Sequence, residues 1–204
     1  PDPNDEYLFY QTLVGSLPFD GSIDDIYVNR IKEYMIKAVK EAKVHTAWIK
    51  PDEEYENAVI SFVQNCLDHS KSNEFIEDLR QFSKNVSWFG MLNSLSQVTL
   101  KLTLPGVPDI YQGTENWNLS LVDPDNRRAV DYELRMAQLE EIVKPDISTD
   151  ELYASHADGR IKMLIVNRCL SARIDNRPIF ENGNYEPLRA VGTYAQNVIA
   201  FSRK

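Results

Sequence analysis

The sequence predicts a predominantly α-helical chain with a few short strands. Long stretches carry apolar residues at helical spacing, apolar runs bounded by glycine and proline are brief, and short β signals concentrate near the end. With 204 residues, of which 43% are hydrophobic, the chain is long enough to bury a core. The fold class therefore rests on hydrophobic periodicity, and each element follows from a local signal.

Three helices are predicted in the first third of the chain. Residues 6–17 are apolar and aromatic nearly all round, which indicates a buried helix. An acidic pair opens an amphipathic helix over residues 24–44. A proline followed by acidic side chains favours a helix over residues 53–67, because both suit a first helical turn.

Further helices are predicted over residues 73–85, 86–104 and 131–143. The second of these is strongly apolar, with small or amide polar residues, so we expect it to be packed on both sides. Asn93 and Gln97 lie four residues apart on it, and a buried hydrogen-bonded pair is the favoured interpretation.

The last part of the chain carries the β signals. Residues 160–173 fit either a strand or a helix by periodicity. Residues 185–191 and 198–202 are predicted as short strands separated by a glycine-containing turn. A shift in composition near residue 145 predicts a boundary between two domains, residues 1–145 and 146–204.

The best candidate for a functional site follows a short apolar run at residues 107–111. Bracketing proline and glycine residues predict a strand buried on both faces. Ligands collect at the carboxyl ends of parallel strands, where loops hang over a rigid core. The candidate substrate-binding residues are Tyr111, Gln112, Glu115, Asp123, Asp125, Asn126, Arg127 and Arg128.

Two roles are open for these polar residues. Aromatic rings and paired polar groups suit a sugar, but Asp-Pro-Asp-Asn is also good turn chemistry. Arg127 and Arg128 could equally stiffen the loop by pairing with Asp123 or Asp125. For Trp117, packing under the loop is favoured over a sugar platform.

Two residues at a helix break, His45 and Trp48, have a similar ambiguity. A half-buried, hydrogen-bonded histidine and a packed tryptophan are the favoured interpretation, and an exposed platform is the alternative. His69 and His156 show no metal-ligand spacing, so no metal site is predicted.

Charge and cysteine content restrict the class of protein. The chain has 22 Lys+Arg against 31 Asp+Glu, a net charge of -9, which argues against nucleic-acid and anionic-membrane partners. No apolar run is long enough to span a membrane. Two cysteines far apart in apolar segments favour free thiols in a reducing compartment, and hence a cytoplasmic protein.

Several segments resemble the α-amylase family of glycoside hydrolases and transglycosylases. They read PGVPDIYQGTE, LSLVDPDNRRAVDYELR, DEYLFYQTLVGSLP and KVHTAW. Within that family, they are similar to intramolecular transglycosylases that convert the reducing-end α-1,4 linkage of a maltooligosaccharide to an α,α-1,1 linkage.

The resemblance implies that this chain is the C-terminal portion of a (β/α)8 barrel enzyme plus the start of a β-rich tail domain. Residues 107–111 would be the eighth barrel strand, and no cofactor is implied. The motifs that carry the family's three catalytic carboxylates do not occur here, so no residue of this chain is predicted to be catalytic. The chain alone is therefore predicted to be inactive.

Two alternatives differ in function class: another hydrolase of the α-amylase family, and a non-catalytic helical packing or interaction module. A barrel strand without its neighbours leaves exposed edges, so the chain alone is expected to self-associate through residues 86–104 and 107–111, or else to rearrange its helical core.

Overall fold

The computed structural model describes residues 1–204, which form eight α-helices, three short 3-10 turns and one two-stranded sheet. The mostly helical fold class with few strands is confirmed. The helices are α1 (Pro3–Ser16), α2 (Asp25–Ala42), α3 (Glu53–Cys66), α4 (Glu74–Thr103), α5 (Tyr132–Ile142), α6 (Thr149–Ala154), α7 (Arg160–Asp175) and α8 (Arg177–Asn182). None of them combines the length and apolarity that crossing a membrane requires.

Contacts divide the chain into two compact units. Unit 1 contains Pro1–Met91 and Asn118–Val130, and unit 2 contains Leu92–Trp117 and Asp131–Lys204. The domain boundary predicted near residue 145 refers to domains along the sequence. These contact units do not test it, so it stays a prediction.

Aspartate side chains begin four of the helices. Asp2, Asp24, Asp52 and Asp131 each stand at the N-cap and accept hydrogen bonds from backbone amides of the first turn. These amides have no partner within the helix, so the caps stabilise helix starts that the sequence pattern had indicated.

The core of unit 1 packs α1, α2, α3 and the start of α4 around Phe9. The Phe9 ring lies edge-on to Phe62 at 5.1 Å and stacks with Phe75 at 6.3 Å between centroids. Helix α1 buries only one face, because Phe9 and Leu13 are fully buried while Tyr7 is 61% exposed. The prediction of burial nearly all round this helix was wrong, since aromatic residues also occupy its outer face.

The core of unit 2 is a smaller cluster on α5, α6 and α7, formed by Ile142, Leu152, Met163 and Leu164. Residues 160–173, which fit strand or helix by periodicity, are helical. Both thiols are free, as expected, and they are half-buried. Burial raises the pKa of Cys66 and of Cys169.

The sheet of unit 2 is shorter than the β signals of residues 185–191 and 198–202. Strands β1 (Tyr185–Pro187) and β2 (Phe201–Arg203) pair antiparallel, with Tyr185 opposite Arg203. The Arg203 guanidinium donates to three carbonyls at the end of α8, one of them that of Phe180 at 3.2 Å. Helix α8, which the sequence pattern did not indicate, is thereby joined to β2.

The predicted buried strand at residues 107–111 is not observed. The segment pairs with no strand, Val107 is 97% exposed and Tyr111 is 55% exposed. A strand requires a neighbour for its backbone hydrogen bonds. The two strands of this chain pair only with each other.

The two helices predicted over residues 73–104 form one continuous helix, α4. Neither glycine nor proline stands at the predicted break, so backbone hydrogen bonding continues across it. Packing on both sides of the second half was also a wrong prediction, since Phe89 is 65% exposed. Asn93 and Gln97 are likewise exposed and form no buried pair, because their shared face is not covered within this chain.

Truncation of the Phe9 ring tests this account of the unit 1 core. We expect Phe9→Ala to lower the free energy of unfolding by about 3–5 kcal/mol, because it removes a fully buried ring and leaves a cavity. Urea denaturation followed by circular dichroism measures the loss. Tyr7→Ala, on the exposed face of the same helix, should change stability by about 0.5 kcal/mol or less. Equal losses in the two variants would contradict the assignment.

Candidate functional site

Asp125 organises the candidate loop of unit 1. The Nε atom of Arg30, on α2, donates to both carboxylate oxygens of Asp125 at 2.9 and 2.8 Å. The backbone amide of Leu121 donates to the same carboxylate at 2.6 Å, and Arg128 Nε lies 3.2 Å from it. A second Arg30 nitrogen contacts the carbonyl of Leu119. One arginine therefore holds both ends of a short loop.

The Arg30–Asp125 pair is well shielded from water, with side chains only 12% and 8% exposed. A shielded carboxylate requires charged and hydrogen-bonding partners, and Asp125 has both. Arg128 also donates to the Asp125 carbonyl at 3.1 Å and to Ser120 Oγ at 3.1 Å. Asp125 and Arg128 therefore brace the loop, and substrate contact by either residue stays a prediction.

Of the other candidates of this loop, Asn126 and Arg127 are exposed, whereas Asp123 is half-buried and its Oδ1 atom is shielded from solvent. Arg127 is 74% exposed along its side chain and pairs with Asp123, four residues earlier in the chain. An exposed pair of this kind contributes little to stability, so both side chains can rearrange around a ligand.

The three candidates of unit 2 lie on a separate turn. Tyr111 is exposed, and its carbonyl accepts from the backbone and hydroxyl of Thr114 at 3.1 and 2.5 Å. The exposed Gln112 accepts from the Tyr132 hydroxyl at 3.3 Å. Glu115 is half-buried, and its Oε2 atom is shielded from solvent without a hydrogen-bond donor.

Trp117 is a packing residue in unit 2. Its indole nitrogen donates to the His156 carbonyl at 2.6 Å, and Lys162 Nζ lies 5.6 Å from its ring centroid. Gly159 follows this contact with φ +81, where an added Cβ would approach Asn116 Cβ to 2.9 Å. Only glycine fits such a position. These contacts agree with the favoured interpretation of Trp117.

A polar cleft of about 290 Å³ lies beside this turn. Lys162 enters it and donates to the Asn116 carbonyl at 3.0 Å. Burial lowers the pKa of Lys162, with a further contribution from Lys101, and Glu115 partly opposes the shift. The cleft suits a small hydroxylated molecule, because its walls offer both donors and acceptors. They include Ser94, Gln97, Lys101, Asp109, Tyr111 and Thr114.

One group of side chains in unit 1 has the spacing of a metal site. One ligand atom each from Asp2, Asp5 and His45 lie within 4.8 Å of one another. All three already have protein partners: Asp2 caps α1 and pairs with His45, and Asp5 accepts from the Tyr55 hydroxyl at 2.5 Å. The Asp5 backbone amide and His45 lower the pKa of Asp2. His45 is thus hydrogen-bonded, as expected, although it is exposed rather than half-buried.

The sequence pattern did not single out Arg30 or Lys162. Arg30 is 95 residues from Asp125, and Lys162 is 46 residues from Asn116. Each is one of several basic residues on its helix, so no local signal distinguishes it.

Comparison with known proteins identifies relatives over the whole chain. A Mycobacterium tuberculosis protein, provisionally described as a maltooligosyl trehalose synthase, is 32% identical over 203 residues. The alignment covers 100% of this chain and 24% of that protein. The chain is homologous to maltooligosyl trehalose synthases. No protein-family model matches it.

Solved structures of such synthases share the fold. A maltooligosyl trehalose synthase crystal structure superposes with a TM-score of 0.86 and 38% identity, covering 98% of this chain and 26% of that one. A hypothetical maltooligosyl trehalose synthase from Sulfolobus tokodaii superposes with a TM-score of 0.81 and 35% sequence identity. The superposition covers 99% of this chain and 26% of that one. The chain thus spans about a quarter of the length of the synthases that it matches.

Removal of the Asp125 carboxylate tests its role as the brace. We expect Asp125→Ala to lower the free energy of unfolding by about 3 kcal/mol or more, because Arg30 would be left shielded and without its counter-charge. Asp123→Ala is the matched control, and a change of about 0.5 kcal/mol or less is expected because its ion pair is exposed. Urea denaturation gives both values, and similar losses would rule out a special role for Asp125.

Tyr55 provides a pH-dependent test of the Asp2–Asp5 contacts. Burial and its hydrogen bond to Asp5 raise the pKa of Tyr55 from 10.0 to about 12. The folded state therefore favours the neutral phenol, and this contribution to stability is complete below pH 10.0 and lost as pH rises through about 12.

The measurement is urea denaturation of wild type and Tyr55→Phe at increasing alkaline pH. Wild type should lose more stability than Tyr55→Phe over that interval, and Tyr7→Phe should behave as wild type. Parallel profiles for wild type and Tyr55→Phe would show that the Tyr55 hydroxyl is not the titrating group.

Proposed function

We propose that this chain is part of an intramolecular transglycosylase that forms trehalose-ended maltooligosaccharides. The supporting observation is the 32% identity over 203 residues to proteins described as maltooligosyl trehalose synthases. Two features of the chain agree with it: a braced loop carrying Asp125, and a polar cleft beside Tyr111. The proposed substrate is a maltooligosaccharide, and on this proposal the longer protein is an isomerase of the α-amylase family.

In the longer protein, residues 107–111 would form the last strand of a (β/α)8 barrel. The exposure of Val107 supports this, since an apolar residue that is 97% exposed here would be covered between neighbouring strands. The backbone of the segment pairs with no strand of this chain, so it is available to such neighbours. The same exposed surfaces would let the chain alone self-associate.

The chemistry proposed for the longer protein is a double displacement at one anomeric carbon. A nucleophilic carboxylate breaks the reducing-end α-1,4 bond and forms a glycosyl-enzyme ester, while an acidic carboxyl protonates the released O4. The freed glucose turns, its anomeric hydroxyl gives up a proton and attacks the ester, and an α,α-1,1 bond forms. No oxidation occurs, so no redox cofactor is required.

The part of this chain in that reaction is to bind and to exclude water. Water would compete with the freed glucose for the ester, so the pocket wall must hold its shape. A loop fixed through Arg30 and Asp125 supplies such a wall without loss of entropy on binding. The catalytic carboxylates would come from other parts of the longer protein, and the free thiols fit a cytoplasmic enzyme.

Incubation of the longer enzyme with maltopentaose tests the function. We expect reducing ends to disappear while chain length is conserved, because the product carries both anomeric carbons in one linkage. Mass spectrometry and a reducing-sugar assay measure the two quantities. Glucose and maltose as the sole products would instead identify a hydrolase and overturn the proposal. This chain alone should give no product.

A further inference from the structure

We propose that a groove of unit 1, beside Trp48 and between α2 and α3, binds an α-linked glucose chain. The proposal rests on the proposed function, which supplies the class of ligand. The groove has a volume of about 450 Å³, within the range of small-molecule sites. Three features of the groove support the proposal: the exposed ring of Trp48, apolar side chains beside it, and charged side chains around it whose formal charges cancel.

Trp48 is presented at the tip of a tight turn. Ala47 and Lys50 exchange two backbone hydrogen bonds of 3.2 Å, which leaves Trp48 and its neighbour as the two residues of the turn. The indole is 57% exposed, so the favoured prediction of a packed tryptophan was wrong and the platform alternative applies.

The platform is nevertheless held in place. The indole nitrogen donates to Glu41 at 3.0 Å, and Lys40 Nζ lies 4.9 Å from the ring centroid. Lys40 in turn pairs with Glu56 at 3.1 Å, and Glu56 accepts from the buried Thr46 hydroxyl at 2.6 Å. Because the ring is oriented before binding, little side-chain entropy remains to be lost.

The groove beside the ring is predominantly apolar. Ile36 of α2 and Ile60 of α3 line it, and Pro124 of the braced loop lines it as well. Glucose rings in α-linked chains present C–H groups on their faces and hydroxyls at their edges. An indole face beside aliphatic side chains suits the C–H groups of the sugar faces. The hydroxyls at the sugar edges require polar partners.

Those polar groups form the rim. Lys32, Glu33, Lys37 and Asp123 also line the groove, and their formal charges cancel. Charged peptides, nucleotides and anionic lipids would gain no net attraction there, whereas a neutral sugar gains donors and acceptors for its hydroxyls. The side chains of Glu33 and Lys37 have no hydrogen-bond or ion-pair partner within the chain, so both are available to a ligand. An α-linked glucose chain is therefore the occupant that fits.

Direct binding of maltoheptaose tests the proposal, measured by isothermal titration calorimetry on the 204-residue chain and on the longer enzyme. We expect Trp48→Ala to weaken binding by about three- to tenfold, the value of one aromatic stacking contact. Trp48→Phe should retain most of the affinity, because it keeps an aromatic face. Tyr7→Ala, which removes an exposed aromatic side chain of unit 1 outside the groove, should bind as wild type.

Retardation of the same variants in native gels containing amylose provides a second measurement, which needs no catalytic activity. Equal affinity of wild type and Trp48→Ala in both measurements would overturn the proposal. So would a concentration-dependent dimer that Trp48→Ala abolishes without changing sugar affinity, since a second copy of the chain would then be the occupant. The maltopentaose product assay is independent of both results, so failure of the proposed function is recognised separately.

Discussion

The paired charges of Arg30 and Asp125 hold together the region on which the functional proposals depend. Leu121 contributes a backbone amide to the same carboxylate, so the loop of residues 119–128 has one well-defined conformation. An ion pair this shielded is costly to form without extra hydrogen bonds, and these are present. The loop in turn presents Asp123 and Pro124 to the groove beside Trp48. Binding surfaces in unit 1 therefore depend on a contact that itself touches no ligand.

The loop of residues 119–128 and the groove beside Trp48 illustrate the difference between side chains that brace a loop and side chains that are available to bind a ligand. Side chains that hold a loop are shielded and have several partners, as Asp125 has. Side chains available to a ligand are more exposed and have few partners, as Glu33, which is exposed, and Lys37, which is half-buried, illustrate. Polar residue type alone does not separate the two roles, because aspartate and arginine serve both. The number of hydrogen-bonding and charged partners, together with the exposed fraction of the side chain, separates the two roles.

The chain also exposes several large apolar side chains. Val107, Phe89 and Trp48 are all more than half exposed, although a tightly packed chain would cover such residues. For Trp48 the surroundings fit a sugar. For Val107 and Phe89 the homology to proteins about four times as long suggests burial against the remainder of such a protein. Both explanations assign a function to surfaces that would otherwise favour aggregation.

The amino-acid sequence by itself determined most of the helices, the free thiols and the family resemblance, because these depend on local periodicity and short motifs. Tertiary structure decided that residues 107–111 remain unpaired, that Arg30 is the partner of Asp125 and that Trp48 is exposed. Each of these depends on residues distant in sequence or on the presence of a neighbouring element. A residue's own surroundings in the sequence carry no information about which of many arginines folds back onto it, or whether a strand has another strand beside it.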